Sequence, residues 1–222
     1  MPKRIIDVGL LEYHRYFASV AYLLPSLGQI HESTVMINPH HPTKIILIDR
    51  CASTFLKKTL SEVGFDIIQD NEIQDTPIND VSTFIRNPSD RYFSCLVRNS
   101  VHLFNFFGIT LTEKIIEKSL SSNQFILSDH CCPQHLFLDV FTNLQKINYF
   151  STDRNIQTQL KYYLNIDITD NEKIHTTDNY KSQYPYLIDM CEILFNKYCI
   201  DNKELYNLYK KDWDLYEYAN NQ

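Results

Sequence analysis

Arg50, Ser53 and Thr54 fall within one short stretch, KIILIDRCASTFLKKTLSEVGF, directly after the apolar run Lys44–Asp49. A cation and two hydroxyls at the point where an apolar strand gives way to a helix suit one chemistry. The first turn of a helix offers N–H groups without intrahelical acceptors and the positive end of the helix dipole, so it attracts an anion, phosphate above all. Arg50 adds a fixed charge, and Ser53 and Thr54 add donors. The plainer use of Ser53 or Thr54 is to cap the helix. The loop G-x-x-x-x-G-K-[ST] of ordinary ATPases and GTPases is absent here: there is no glycine, and no lysine stands immediately before the hydroxyls.

A second cluster lies in FIRNPSDRYFSCLVRN, residues 84–99. Arg86 ends a strand-like run. Arg91, Ser94 and Arg98 follow at spacings of three and four, on one side of the next helix. Arg86 with Ser94 makes a second phosphate clamp, a guanidinium fork plus a hydroxyl, each charge-assisted bond contributing about 1.5–3 kcal/mol. The alternative is a surface pair between Arg91 and Asp90 and a buried serine.

Strand–helix alternation must position these groups. KIILID (44–49), FDIIQ (65–69), VSTFIR (81–86) and INYFS (147–151) read as strands, rich in β-branched residues. Ser53 to Val63 reads as a helix, with Phe55, Leu56, Leu60 and Val63 on one face and Gly64 as its stop. Asn87-Pro88 opens another, asparagine as N-cap and proline at the first helical position. Thr110 and Glu113 form a capping-box pattern ahead of IIEKSL, and NIQTQLKYYLN (155–165) and the aromatic-rich end from Tyr184 to Tyr218 are helical. Such alternation predicts an α/β fold on a parallel sheet.

Composition narrows the function classes. The 222 residues are 44% hydrophobic and 22% charged, with a net charge of −6, which fits a globular chain and opposes a broad basic surface for nucleic acid. The apolar residues of the first 33 positions are broken by Asp7, Glu12, His14 and Arg15, so neither a signal peptide nor a transmembrane helix is expected, and the expected location is soluble and cytoplasmic. The six cysteines form no C-x-x-C pair and read as reduced thiols rather than zinc ligands.

DRCASTFLKK followed by FIRNPSDRYFS resembles the two nucleotide-binding signatures of the sulfotransferases that use 3′-phosphoadenosine 5′-phosphosulfate (PAPS), P-K-x-x-S/C-T-S and R-[DN]-P-x-x-R-x-x-S. It is most similar to the carbohydrate sulfotransferase branch. SDHCCPQ (128–134) resembles the family's D-x-H-x-x-P-Q segment, and LYNLYKKDWDLYEY (205–218) its Y-x-x-D-[FW]-x-x-[FY]-x-Y ending. The resemblance implies a P-loop-like three-layer α/β/α fold with a central, mainly parallel sheet of about four to five strands. It implies a single domain over 1–222, with 44–218 as the PAPS-binding and catalytic core; residues 1–43 carry none of the likeness.

The implied activity is transfer of a sulfuryl group from PAPS to a hydroxyl or amine of a carbohydrate-type acceptor, releasing PAP, with no metal. Partners are then a glycan, glycolipid or small molecule, not nucleic acid, and no integral membrane association. Arg50, Cys51, Ala52, Ser53, Thr54 and Phe55 would hold the 5′-phosphosulfate, and Arg86 with Ser94 the 3′-phosphate. Arg91 would support the helix, and Lys181 in DNYKSQYP would lie on a loop that closes over the nucleotide. His130 is the first candidate for general base, ahead of Asp70, Glu72 and Asp75 between the signatures; His102 is expected to pack beside its helix. Arg50 stands where the family has lysine, with Lys57 or Lys58 as substitutes. That departure supports an alternative, a PAPS- or PAP-binding chain without turnover; a kinase-like phosphotransferase comes third.

Overall fold

The computed structural model describes residues 34–68, 80–139, 146–168 and 176–222. Five strands form one sheet: β1 (Thr34–Ile37), β2 (Lys44–Leu47), β3 (Asp66–Ile68), β4 (Val81–Ile85) and β5 (Ile147–Ser151). Their order across the sheet is β3-β1-β2-β4-β5. β2 pairs in parallel with β4, and β4 with β5, while β1 is antiparallel to both of its neighbours. Four strands therefore run one way and β1 alone runs against them. The fold is α/β with a mixed, mostly parallel sheet. β1 is the element that sequence reading missed: TVMI has only four residues, and its two central side chains owe their burial to strands on either side.

The helices are α1 (Ser53–Glu62), α2 (Pro88–Phe107), α3 (Ile109–Ser121), α4 (Leu136–Asp139), α5 (Ile156–Leu164), α6 (Thr176–Gln183), α7 (Pro185–Tyr198), α8 (Lys203–Leu208) and α9 (Lys210–Asn220), with a 3₁₀ turn at Asp129–Cys131. Among the described residues no helix is long and apolar enough to cross a membrane.

The chain divides into two compact units. The described part of one comprises 34–68, 80–91, 133–139, 146–168, Thr176 and 207–222, and contains the whole sheet. Its core joins Met36, Ile45, Leu47, Phe84 and Phe150 from the strands to Leu56 and Leu60 of α1 and Leu160 and Leu164 of α5. Side chains alternate along a strand, so Tyr149 faces away from Phe150. On that second face α9 packs against β4 and β5, with Tyr218 edge-on to Tyr149. All five residues of β4 are buried. A strand covered on both faces reads as a continuous apolar or small-residue run, which is what VSTFI is.

The other unit comprises 92–132 and 177–206 among the described residues and is helical. α3 packs on α7. Tyr92 stacks near Phe125 and Phe195 and donates its hydroxyl to the Phe125 carbonyl at 3.0 Å, and the Cys191 thiol donates to Ser100 Oγ at 3.1 Å.

Local signals set most helix ends. Asn87 Oδ1 accepts from the Ser89 and Asp90 amides at 2.9 and 3.3 Å, the cap read from Asn-Pro. Asn155 does the same for α5 through the Thr158 amide at 2.8 Å. The Thr110–Glu113 capping box does not form; α3 starts two residues earlier, from an N-cap at Gly108, φ 79°, with no side-chain cap. α1 ends as expected at Gly64, φ 87°. The Phe65 amide returns to the Leu60 carbonyl at 3.0 Å and the Gly64 amide to the Ser61 carbonyl at 3.2 Å, closing a Schellman end whose apolar partners, Phe65 and Leu60, are both buried. A Cβ at Gly64 would meet Asn38 Nδ2 at 3.4 Å, an ordinary contact, so the cost of a side chain there is conformational. Gly64→Ala is expected to lower stability by about 1–2 kcal/mol, read as a shift of the urea midpoint at constant m. An unchanged midpoint would contradict the left-handed ending.

Candidate functional site

Three parallel strands, β2, β4 and β5, end on the same edge of the sheet. Ligands of α/β sheets bind outside the carboxyl ends of the strands, so this edge comes first. β2 runs through Ile48 into the loop Asp49–Ala52, and β4 runs into Arg86 and Asn87. The loop is tightly wound. The Cys51 amide donates to the Ile48 carbonyl at 3.1 Å, and both Arg50, φ 66°, and Ala52, φ 58°, lie in the left-handed region. Each such non-glycine residue costs on the order of 1 kcal/mol, and such strain persists only where surrounding contacts over-determine it.

Those contacts are visible one residue at a time. Arg91 Nε donates to the Asp49 carbonyl at 3.0 Å. Arg86 Nη1 donates to the Arg50 carbonyl at 3.3 Å. The Cys51 thiol donates to Gln134 Oε1 at 2.9 Å. Gln134 in turn clamps the main chain at the end of β4: its Oε1 accepts from the Arg86 amide and its Nε2 donates to the Arg86 carbonyl, both at 2.9 Å. The two loops are thus tied together by one buried amide side chain and two guanidinium groups. Arg91 is itself wholly buried, with its guanidinium carbon 5.5 Å from the centre of the Phe137 ring, so it supports the loop rather than offering a free cation.

The corner carrying Gln134 has its own anchor. Asp212, on α9, is fully buried; it accepts the Gln134 amide at 2.5 Å and the His135 amide at 2.9 Å, and its Oδ1 is 2.8 Å from His135 Nδ1. Burial pushes the Cys51 thiol up to about 11, against the opposing pull of Arg91 and Arg86, with Asp212 adding to the rise. Cys51 is therefore a neutral thiol at pH 7, a hydrogen-bond donor rather than a nucleophile.

Ala52 at the N-cap of α1 offers no side-chain acceptor, and neither Ser53 nor Thr54 caps the helix. Ser53 is half-buried and Thr54 exposed. The cap use of these hydroxyls is thereby corrected: the left-handed turn at Ala52 puts the helix start one residue too early for it. The first-turn amides and two hydroxyls stand beside a guanidinium-rich loop, an arrangement able to bind a multiply charged oxyanion. Phe55 packs its ring on the core cluster and so contributes only main chain.

The fold brings Arg50, Cys51, Ala52, Ser53, Thr54, Phe55 and Arg86 together within the sheet unit. Ser94, His130 and Lys181 belong to the helical unit. Ser94 is buried in α2, at 2% exposure, and Lys181 is exposed in α6. His130 is half-buried in the 3₁₀ turn, where its carbonyl accepts the Cys95 thiol at 2.7 Å. Lys57 and Lys58 are solvent-exposed on α1. His102 is exposed on α2 rather than packed, since its position falls on the outer side of the helix. Asp70, Glu72 and Asp75 lie outside the described residues. Sequence reading quoted the stretches that contain Gln134 and Asp212 but gave neither a role, and it passed over His135. A carboxylate in an aromatic helix and a polar Gln-His pair after proline were the available signals.

Comparison with family models, curated proteins and solved structures finds no match to this chain.

Two measurements check this network. Gln134→Leu removes the partners of the Arg86 amide and carbonyl, and it is expected to cost about 2–4 kcal/mol in urea unfolding; a loss under about 0.5 kcal/mol would show that the clamp is not formed. The Cys51 thiol sets an alkaline limit. Below pH 9 it is protonated folded and unfolded; as pH rises from 9.0 to about 11 the unfolded chain loses that proton and the fold does not. Stability should fall by about 3 kcal/mol over that window. Cys51→Ala should flatten that part of the pH–stability curve, and an equal slope in both proteins would refute the assignment.

Proposed function

We propose that this chain is a sulfotransferase that moves a sulfuryl group from PAPS to a hydroxyl or amine of a carbohydrate-type acceptor and releases PAP. The observation that carries the reading is the Arg86 guanidinium at the Arg50 carbonyl: the two candidate anion loops, at the carboxyl ends of neighbouring parallel strands, lie against each other. One ligand with phosphate groups at two positions fits that pair of loops better than two separate anions do. Strand β2, the wound loop and α1 form the P-loop-like part of a three-layer α/β/α arrangement in this reading.

The amides of the Arg50–Phe55 segment, with the Ser53 and Thr54 hydroxyls, hold the 5′-phosphosulfate. Arg86 holds the 3′-phosphate, as the family resemblance implies. Sulfuryl transfer, like phosphoryl transfer, passes through a loose transition state, so catalysis is mainly positioning and stabilisation of charge on the leaving phosphate. Arg50 supplies fixed positive charge where the family uses lysine. It stabilises the leaving group without donating a proton to it, because a guanidinium does not deprotonate in the neutral range. That same feature favours the second reading, a chain that binds PAPS or PAP without turnover. The acceptor is a neutral or mildly acidic glycan, glycolipid or small molecule, in keeping with a net charge of −6.

A thermal-shift series tests the nucleotide pocket. PAP at 100 times its Kd is expected to raise Tm by roughly 5–10 °C, and AMP, ADP and ATP by much less. Arg86→Ala should abolish the preference for PAP while far-UV circular dichroism stays unchanged. Equal shifts for all four nucleotides would remove the sulfotransferase reading. Labelled PAPS with a glycan panel then separates turnover from binding alone.

A further inference from the structure

We infer that His135 is the general base for the acceptor hydroxyl, positioned by Asp212. The substrate assignment rests on the sulfotransferase reading; the His135–Asp212 pair does not. Asp212 is fully buried, accepts two main-chain N–H donors and stands 2.8 Å from His135 Nδ1. A carboxylate already fixed by two main-chain donors presents an acceptor to the ring, and the tautomer that completes the pair is the one protonated on Nδ1. Nδ1 of His135 therefore carries the proton, and Nε2 keeps its lone pair. A buried carboxylate that fixes ring orientation and tautomer in this way is the device by which a histidine is made a directed base.

Location supports the role. The His135 side chain is 16% exposed, so the ring is not sealed in the core. The preceding residue, Gln134, bonds the Arg86 main chain and the Cys51 thiol. His135 is thus one residue from the side chain that joins the two anion loops, inside the same unit. His130, the base expected from sequence, lies in the other unit.

The step balances. Nε2 takes the proton of the acceptor hydroxyl as its oxygen forms a bond to sulfur. The bond between sulfur and the bridging oxygen of the 5′-phosphate breaks, and its electron pair remains on that oxygen in PAP. The imidazolium then releases its proton to water, leaving a sulfate ester.

The test uses the full-length chain and two readouts. Nitrogen-15 NMR of the imidazoles reports the tautomer of His135, expected to be the Nδ1–H form and to change in Asp212→Asn. Single-turnover transfer from labelled PAPS to a glycan panel reports the chemistry. His135→Gln is expected to slow transfer roughly 10²- to 10³-fold while the PAP-induced rise in Tm is kept, and His130→Gln to stay within about threefold of the wild type. An Nε2–H tautomer in the wild type overturns the inference. So does transfer at the wild-type rate by His135→Gln, or PAP binding with no transfer by the wild-type chain. Should PAP fail to stabilise the wild type, the sulfotransferase reading fails instead, and the tautomer alone decides whether the pair is formed.

Discussion

The architecture of the candidate site depends on holding a strained loop open. Two non-glycine residues, Arg50 and Ala52, sit in the left-handed region within one turn of chain. An unsupported loop of that sequence would relax, since every residue in it has cheaper conformations. It is held because Asp49, Arg50 and Cys51 are each tied to a different side chain: Arg91, Arg86 and Gln134. Two of these tethers grip carbonyl groups by cations, so the Asp49 and Arg50 carbonyls of the turn are committed to the protein.

The same tethers explain how so much positive charge is tolerated near a buried thiol. Arg86 and Arg91 both act on Cys51, and Asp212 opposes them. Asp212 is buried with both oxygens engaged, by the Gln134 and His135 amides and the His135 ring, so the cost of burying its polar atoms is offset. The anchor extends across the unit: α9 carries Asp212 and also packs against β4 and β5. An element from the far end of the chain thus fixes the corner that fixes the loop.

Within the sheet unit the division of labour is plain. β4, buried along its whole length, fixes the direction in which Arg86 emerges. α1 and α5 cover one face through Leu56, Leu60, Leu160 and Leu164, so the loop ahead of α1 is anchored at its far end by the core. The hydroxyls of Ser53 and Thr54, freed from capping by Ala52, remain at the surface.

The strands KIIL, DII, VSTFI and INYFS, the α/β class, the Asn87 cap and the Gly64 stop were legible in the sequence, because each rests on local periodicity or on a single residue's backbone preference. The Thr110–Glu113 box was legible and wrong, since Gly108 supplied an earlier start. Arg50, Ser53, Thr54 and Arg86 could be named as candidate anion ligands from type and spacing alone. Only the tertiary structure decided that β1 completes the sheet, that Arg91 is a buried prop, and that Gln134, His135 and Asp212 belong to the site. The contacts of Arg91, Gln134 and Asp212 join residues more than forty positions apart, through hydrogen bonds to main-chain groups that every residue carries. No side-chain pattern along the chain records which of those groups will be met.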